Sequence, residues 1–190
     1  MATTNPIRDK QDIQRLTEYY LERGELRNHA LTIIGIYTAL RVGDILKLTW
    51  DDIYDFDLGC VRSTLNLVEE KTGKGKSIAL NSAVIEALAL YAEEAATPGG
   101  SILESRKTKL SIGRTQAYRI IRKAGEALGF EERISCHSLR KTLGYHAWKS
   151  NVPLAVIMEI FNHSSIANTR RYLGVTQDDT DAVYLGLDLT

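Results

Sequence analysis

The spacing of hydrophobic residues departs from the helical period in one stretch of this chain, and that departure limits the folds the chain can adopt. Over most of the sequence apolar residues recur at helical spacing, as Ile13, Leu16 and Tyr20 do. Between residues 59 and 80 they alternate two by two, in two short runs joined by lysines and glycines. This pattern predicts a mainly α fold with one small antiparallel β-sheet, a hairpin with a lysine-rich tip, near its middle.

Punctuating residues predict where the helices begin and end. Gly24 ends the first helix, and an apolar stretch follows as far as Leu40. Ser111 is predicted to cap a helix whose apolar stripe ends at Leu128. Further helices are predicted around 84–91, at 135–148, at 153–161, and after a cap at Ser164 or Ser165.

The composition fits one intracellular domain. With 190 residues, 44% of them hydrophobic and 25% charged, the chain matches one globular unit of roughly 150 residues better than two. The two cysteines, Cys60 and Cys136, cannot build a disulfide framework and suit a reducing compartment. The longest apolar run, Ala30 to Leu40, is far shorter than the roughly 20 residues of a membrane span. We expect a single domain over residues 1–190, in the cytoplasm and without a membrane partner.

Basic residues are concentrated in one part of a chain whose formal net charge is zero. Residues 101–150 hold 11 Lys and Arg against 4 Asp and Glu, a local net charge of +7. Such a block can meet a polyanion, although a solvated helix face is the alternative explanation. Seven of the 11 are the candidates for such a contact: Arg106, Lys107, Lys109, Arg114, Arg119, Arg122 and Lys123.

Several polar residues are predicted near helix ends. Arg41 stands at a helix break, and His137 and Arg140 share one helical face because they are three residues apart. His163 opens the short helix that carries Tyr172. Each of these residues alone is more often structural than functional. Together with the hairpin lysines they indicate a site rich in hydrogen-bond donors, with one latent nucleophile.

Such a donor set suits attack on a phosphodiester. Arginine binds phosphate oxygens bidentately and stays charged, and a lysine on a hairpin can protonate an alkoxide leaving group. A tyrosine beside arginines and a histidine that favour its phenolate can serve as the nucleophile. The four histidines and two cysteines lack zinc-type spacing, and no acidic cluster offers a magnesium site. We therefore expect neither a metal nor a cofactor.

These residues resemble the tyrosine recombinases, or phage-type integrases, over residues 7–187. The pattern of that family is an arginine in a T-G-L-R-x-x-E-like segment, a lysine on a β-hairpin, H-x-x-R, a G-H pair, and a tyrosine nine residues after that histidine. The resemblance implies the catalytic-domain fold of the family. This chain supplies every member of the pattern in order: Arg41, Lys71, His137, Arg140, His163 and Tyr172.

The resemblance implies a site-specific DNA recombinase that cleaves and rejoins strands without a high-energy cofactor. Tyr172 is expected to attack the scissile phosphate, giving a 3′-phosphotyrosyl intermediate and a free 5′-hydroxyl. Arg41 and Arg140 would bind the phosphate oxygens. His137 would assist proton transfer and phosphate binding, and His163 would donate to the same phosphate.

The family pattern also assigns the leaving-group acid and an orienting carboxylate. Lys71 is expected to protonate the 5′-oxygen, because it precedes the second strand at the family's distance, and Lys74 is its rival. Asp44, where the family usually has glutamate, would orient the catalytic residues without itself contacting the substrate. DNA contacts are predicted at Lys74, Lys76, Arg114, Arg119, Arg122 and Lys123.

The chain departs from the family pattern in four places. Ala39 and Asn162 replace glycines that usually precede Arg41 and His163, so the backbone there must differ if those glycines have positive φ. Ala79 replaces a common proline. Only a few residues precede the first predicted helix, where the family usually has a separate DNA-binding domain. The chain is therefore expected to be a catalytic domain alone, and its ordinary Met1 start favours a short stand-alone protein over a fragment.

Double-stranded DNA is the expected partner, with self-association into a tetrameric synapse on it, in the cytoplasm at the nucleoid. The tail, about 176–190, is expected to dock on its own core or on a neighbouring subunit. A binding-only relative without cleavage activity is the main alternative. A type IB topoisomerase is disfavoured, because that family has lysine where His137 stands.

Overall fold

The fold is mainly helical, as the periodicity predicts. The computed structural model describes residues 4–95 and 99–186. The first half contains α1 (Lys10–Leu21), α2 (Leu26–Tyr37), α3 (Val42–Ile45), α4 (Trp50–Ile53), β1 (Tyr54–Asp55), β2 (Cys60–Val61), β3 (Thr64–Val68), β4 (Gly75–Ala79) and α5 (Ser82–Glu94). The second half contains α6 (Arg114–Ala127), α7 (Cys136–Lys149), α8 (Leu154–Phe161), α9 (Ile166–Leu173) and α10 (Gln177–Gly186).

Helix α2 is the centre of the core. It is apolar around most of its circumference, which is typical of a helix surrounded by other elements, and its residues 28–36 are all buried. Helices α1, α5 and α7 pack against it. Because neighbouring helices hold α2 on several sides, the backbone position of the residues just after its end, including Arg41, is fixed.

Strands β3 and β4 form the predicted antiparallel hairpin, with Thr64 opposite Ala79 and Val68 opposite Gly75. Glu69 begins its tight turn: its N–H donates to the Lys74 carbonyl, 3.0 Å away. A second antiparallel pair, β1 with β2, is also present and was not predicted from the sequence. Each of these strands has only two residues, too few for an alternating pattern to show.

A smaller apolar cluster supports the C-terminal helices. It contains buried Ala39, Ile157, Phe161 and Leu173. Gly144 in α7 allows this packing, because a Cβ there would lie only 2.4 Å from the Phe161 ring. The cluster fixes the positions of α8 and α9 relative to α7.

The predicted caps are partly confirmed. Ser165, one of the two predicted serines, caps α9 by accepting from Asn168. Ser135, for which no cap was predicted, caps α7 by accepting from the His137 N–H. The prediction for Ser111 is wrong, because α6 starts after Gly113. The Ser111 hydroxyl instead donates to the Leu46 carbonyl at 2.6 Å.

In the described part of the chain, no helix combines the length and hydropathy that a membrane crossing needs. Pro98, part of the predicted break after α5, and the tail beyond Gly186 lie outside the described residues. The described tail is α10, and the Asp179 carboxylate there accepts from Lys149 of α7 at 2.7 Å.

Candidate active site

Two residues with positive φ shape the base of the site. Ala39 has φ 52° and Asn162 has φ 56°. Both therefore adopt the left-handed conformation that glycine accepts readily, so the predicted change of backbone geometry does not occur. In alanine this conformation costs roughly 1–2 kcal/mol, whereas asparagine tolerates it better. The turn at Ala39 directs its carbonyl to Arg140, and the turn at Asn162 ends α8 next to the Phe161 carbonyl.

The two arginines meet over the same carbonyl oxygen. Arg140 is 2% exposed and donates to the carbonyls of Ala39 and Phe161, the latter at 2.8 Å. Its guanidinium carbon lies 4.9 Å from the centre of the Phe161 ring. Arg41 Nη2 lies 3.4 Å from the Phe161 carbonyl. Contacts from α2, α7 and α8 thus hold the two guanidinium groups side by side.

Tyr172 and His137 form the reactive pair. The Tyr172 Oη lies 3.3 Å from His137 Nδ1, and the two rings are perpendicular with centroids 4.9 Å apart. Partial burial lowers the pKa of His137 to about 4, aided by the cations of Lys141 and Arg140, although the residue retains exposed surface. The imidazole is therefore neutral at pH 7, and its Nδ1 can accept the phenolic proton.

Opposing effects set the protonation state of Tyr172. Burial raises the pKa of its phenol, and this outweighs Arg140 and Arg41, which act in the opposite direction. The resting nucleophile is a phenol, not a phenolate. It must lose its proton during the attack, which makes the neutral His137 beside it a suitable base.

His163 flanks the tyrosine on another side. Its ring centroid lies 4.9 Å from that of Tyr172, and its Nδ1 is 3.1 Å from Thr169 Oγ1. Burial, then Arg140, Arg41 and Lys71, lower its pKa. The Thr169 contact occupies one ring nitrogen and leaves the other, Nε2, available to an oxygen in the cleft.

All six predicted catalytic residues line one open cleft of about 850 Å³. Lys71 lies at its mouth on the exposed hairpin turn, whereas Arg140 and Tyr172 lie at its base. Cys136 also lines it, and burial raises the pKa of that thiol to about 12, so it carries no thiolate. A lysine, two arginines, two histidines and a tyrosine thus surround a space open to a large substrate.

Comparison with known proteins decides the family. The model of the phage integrase family matches residues 8–178 of this chain. The chain belongs to this family, the tyrosine recombinases.

Individual relatives agree with this assignment. The chain is 36% identical over 184 residues to a probable integrase/recombinase, YoeC, of Bacillus subtilis (strain 168), covering 97% of each chain. It superposes on the crystal structure of XerA recombinase with a TM-score of 0.77 at 20% identity, covering 98% of this chain and 65% of XerA. The XerH site-specific recombinase bound to its difH substrate gives a TM-score of 0.69 at 17% identity, covering 97% of this chain and 53% of XerH. The recombinase catalytic-domain fold is thereby confirmed.

In this tyrosine recombinase Asp44 acts on the hairpin and not on an arginine or a histidine. It is 4% exposed, and its Oδ1 accepts from the Glu70 N–H at 2.8 Å. Glu70 directly precedes Lys71. Asp44 therefore anchors one side of the lysine turn to helix α3.

The structure places Lys76 differently from its prediction as a DNA contact. Its side chain is 14% exposed, and Nζ donates to the Ile160 carbonyl at 2.6 Å. Burial lowers the pKa of this lysine. Its ammonium is committed to the protein interior, because strand β4 turns this side chain inward between the hairpin and α8.

The other predicted DNA contacts are exposed. Arg114 lines the catalytic cleft and is ion-paired with Glu70 at 3.1 Å. Arg119, Arg122 and Lys123 line a separate groove along α6. The basic block is not one surface, since Arg106 and Lys109 line another cleft and pair with Glu94 and Glu104.

Two charged residues of the site were missed by the sequence analysis. Glu69 has a side chain with no exposed surface that contacts Arg41 at 3.0 Å. Lys141 is 5% exposed, and its ammonium lies 5.0 Å from the centre of the Tyr172 ring. Lys141 follows Arg140 directly, so its position in the motif was a usable signal. Glu69 gave no such signal, because its partners Arg41 and Asn162 are distant in sequence.

No group of three or more His, Cys, Asp and Glu side chains is close enough to hold a metal ion within residues 4–95 and 99–186.

Proposed function

We propose that this protein is a site-specific recombinase that cleaves and rejoins double-stranded DNA through a covalent bond to Tyr172. The observation that carries the proposal is the position of the Tyr172 hydroxyl. It lies 3.3 Å from the His137 imidazole, in an open cleft that is also lined by the buried Arg140 and the partly buried Arg41. Family membership supports the same reaction. Residues 1–190 are proposed to act as the catalytic domain.

The first step is an in-line displacement at phosphorus. The Oη of Tyr172 forms a bond to the phosphorus as the bond to O5′ breaks, and the phenolic proton passes to His137 Nδ1. Lys71 delivers a proton to O5′, which leaves as a hydroxyl. Arg41 and Arg140 stabilise the negative charge that spreads over the non-bridging oxygens.

The reverse displacement rejoins the strand. A 5′-hydroxyl from a second strand attacks the phosphotyrosine, and the protons return along the same path. Because the phosphotyrosine bond replaces the phosphodiester bond, no high-energy cofactor is required. His163 is proposed to donate from Nε2 to the phosphate in both directions.

The proposal is tested by trapping the covalent intermediate. The protein is incubated with nicked duplex fragments of host DNA, so that the short strand beyond the cut diffuses away and religation fails. Mass spectrometry of the digested adduct is expected to find the nucleotide on the peptide that contains Tyr172, and sequencing identifies the site. Selective binding without any adduct would support the binding-only alternative instead.

DNA is proposed to lie across the cleft with its backbone against Lys74, Arg114, Arg119, Arg122 and Lys123, which are all exposed. Lys76 is left out of this set because its ammonium is internal. A recombinase acting on host DNA is proposed to work in the cytoplasm at the nucleoid.

Removing two of these cations tests the α6 contact surface. Each phosphate contact contributes a slope of about −0.9 to a plot of log affinity against log salt concentration. Arg119→Ala combined with Lys123→Ala is expected to make the slope less steep by about 1.8, measured by fluorescence anisotropy. Lys107→Ala, on the loop of the other cleft, is the matched control and is expected to leave the slope unchanged. An unchanged slope in the double variant would remove α6 from the interface.

The tail is proposed to dock on a neighbouring subunit and so support a tetrameric synapse. Helix α10 exposes Tyr184 at 79% and Leu185 at 88%, two apolar side chains available to a partner. Tyr184→Ser with Leu185→Ser is expected to reduce multi-subunit complexes on DNA at least tenfold in mass photometry, while single-site binding persists. Assembly equal to that of the wild type would contradict docking in trans.

A further inference from the structure

Glu69 is a buried carboxylate at the end of strand β3. Its side chain has no exposed surface, unlike that of the next residue, Glu70, which is 41% exposed. Burying an ionised carboxylate is costly unless donors surround it. The groups that contact Glu69 must therefore compensate for the cost of burying its charge.

Three side chains from three parts of the chain converge on one oxygen, Oε2. Asn162 Nδ2 donates at 2.8 Å, Thr72 Oγ1 donates at 2.9 Å, and Arg41 Nη1 forms an ion pair at 3.0 Å. The other oxygen, Oε1, faces Lys76 Nζ at 4.0 Å and has no hydrogen-bond partner among the described residues.

Each donor is a catalytic residue or the neighbour of one. Arg41 binds phosphate in the proposed reaction, Thr72 follows Lys71, and Asn162 precedes His163. One carboxylate oxygen therefore joins the end of α2, the lysine turn and the loop between α8 and α9.

The charge of Glu69 also offsets a concentration of cations. Burial acts to raise its pKa, but the hydrogen bonds from Asn162 and Thr72 and the interaction with the Arg41 cation overcome this and hold the pKa below its usual range. The group is therefore an anion at neutral pH, next to Arg41 and Lys76. Without it, two partly buried positive charges would repel each other and the arginine would lose its lateral support.

We infer that Glu69 is a positioning residue, which holds Arg41 against the scissile phosphate and ties the lysine turn and the His163 loop to the same point. This inference rests on the proposed function. It concerns the placement of Arg41 and not the binding of DNA, because Glu69 has no surface that DNA can reach.

Two substitutions distinguish the effect of the hydrogen-bond acceptor at position 69 from the effect of its charge. Glu69→Gln keeps an oxygen that can accept from the three donors but removes the charge, and is expected to lower the cleavage rate at saturating DNA about tenfold. Glu69→Ala removes the acceptor as well, and a misplacement of this kind costs about 10²-fold. The DNA concentration for half-maximal rate is expected to change less than threefold in both. Glu86→Gln, an exposed carboxylate on α5, is the control.

A methylphosphonate at the cleavage site separates positioning from a general structural fault. It lacks one charged phosphate oxygen, so the arginine contributes less to its cleavage. The defect of Glu69→Ala is expected to shrink from about 10²-fold to less than threefold on this substrate. An equal defect on both substrates, or a Glu69→Gln protein as active as the wild type, would overturn the inference. If Glu69→Ala does not fold, Glu69→Gln is compared on the two substrates in the same way. Absence of adduct in the wild type would instead refute the proposed function.

Discussion

Replacing Tyr172 with phenylalanine is expected to abolish the covalent DNA adduct while DNA affinity stays within about twofold. The substitution removes one oxygen, which is the atom proposed to bond to phosphorus. The ring remains packed against Phe161 at a centroid distance of 4.9 Å and against His137 and His163, so the fold has no reason to change. Adduct is measured as DNA that stays with the protein after denaturation on a gel.

Tyr184→Phe provides the matched control for this experiment. It makes the same chemical change on an exposed tyrosine of α10, which does not line the cleft. Adduct formation at the wild-type level is expected. A Tyr172→Phe protein that still formed adducts would exclude Tyr172 as the nucleophile, and adduct loss caused by Tyr184→Phe would direct attention to the tail.

Lys71→Ala is expected to slow strand cleavage by about 10²–10⁴-fold, the range that a general acid contributes. The lysine has an exposed side chain at the mouth of the cleft, and its field reaches His163, whose pKa it helps to lower. Loss of this proton donor leaves O5′ to depart as an alkoxide. Single-turnover cleavage of a nicked duplex with the identified site measures the effect.

A sulfur leaving group tests whether Lys71 is the acid. A thiol has a pKa near 8.5 and departs without protonation, so a 5′-bridging phosphorothiolate is expected to restore Lys71→Ala to within about tenfold of the wild type. Lys74→Ala is expected to weaken DNA binding without slowing cleavage at saturation. Sulfur rescue of Lys76→Ala, with none for Lys71→Ala, would identify the buried lysine as the acid.

Local signals in the sequence were sufficient for much of the fold. The periodicity predicts the main helices and the hairpin, because an amphipathic stretch records its buried face in the spacing of its own residues. Ser165 was recognisable as a cap for the same reason, since its hydrogen bond closes within three residues. Ser111 had the same local appearance, but a contact with Leu46, 65 residues away, took its hydroxyl.

The six site residues were found because their order and spacing follow a family pattern. That pattern does not indicate which other groups surround each of these residues in the folded chain. No local signal indicated that Lys76 is internal whereas Lys71, five residues earlier, is exposed, since the difference depends on which face of β4 meets α8. Nor does the sequence show that burial outweighs the two arginines at the Tyr172 phenol, because burial is a property of the folded chain.

The sequence by itself determined the α-rich fold class, the hairpin and the identity of the residues in the cleft, since these depend on residue type and on separations of a few positions. Tertiary structure alone decided how those residues are held. Arg140 binds the Ala39 carbonyl across 101 residues, and Glu69 binds Asn162 across 93. Burial and hydrogen bonding between such distant segments follow from packing of the whole chain around α2, and that packing sets the protonation and position of each group that performs the chemistry.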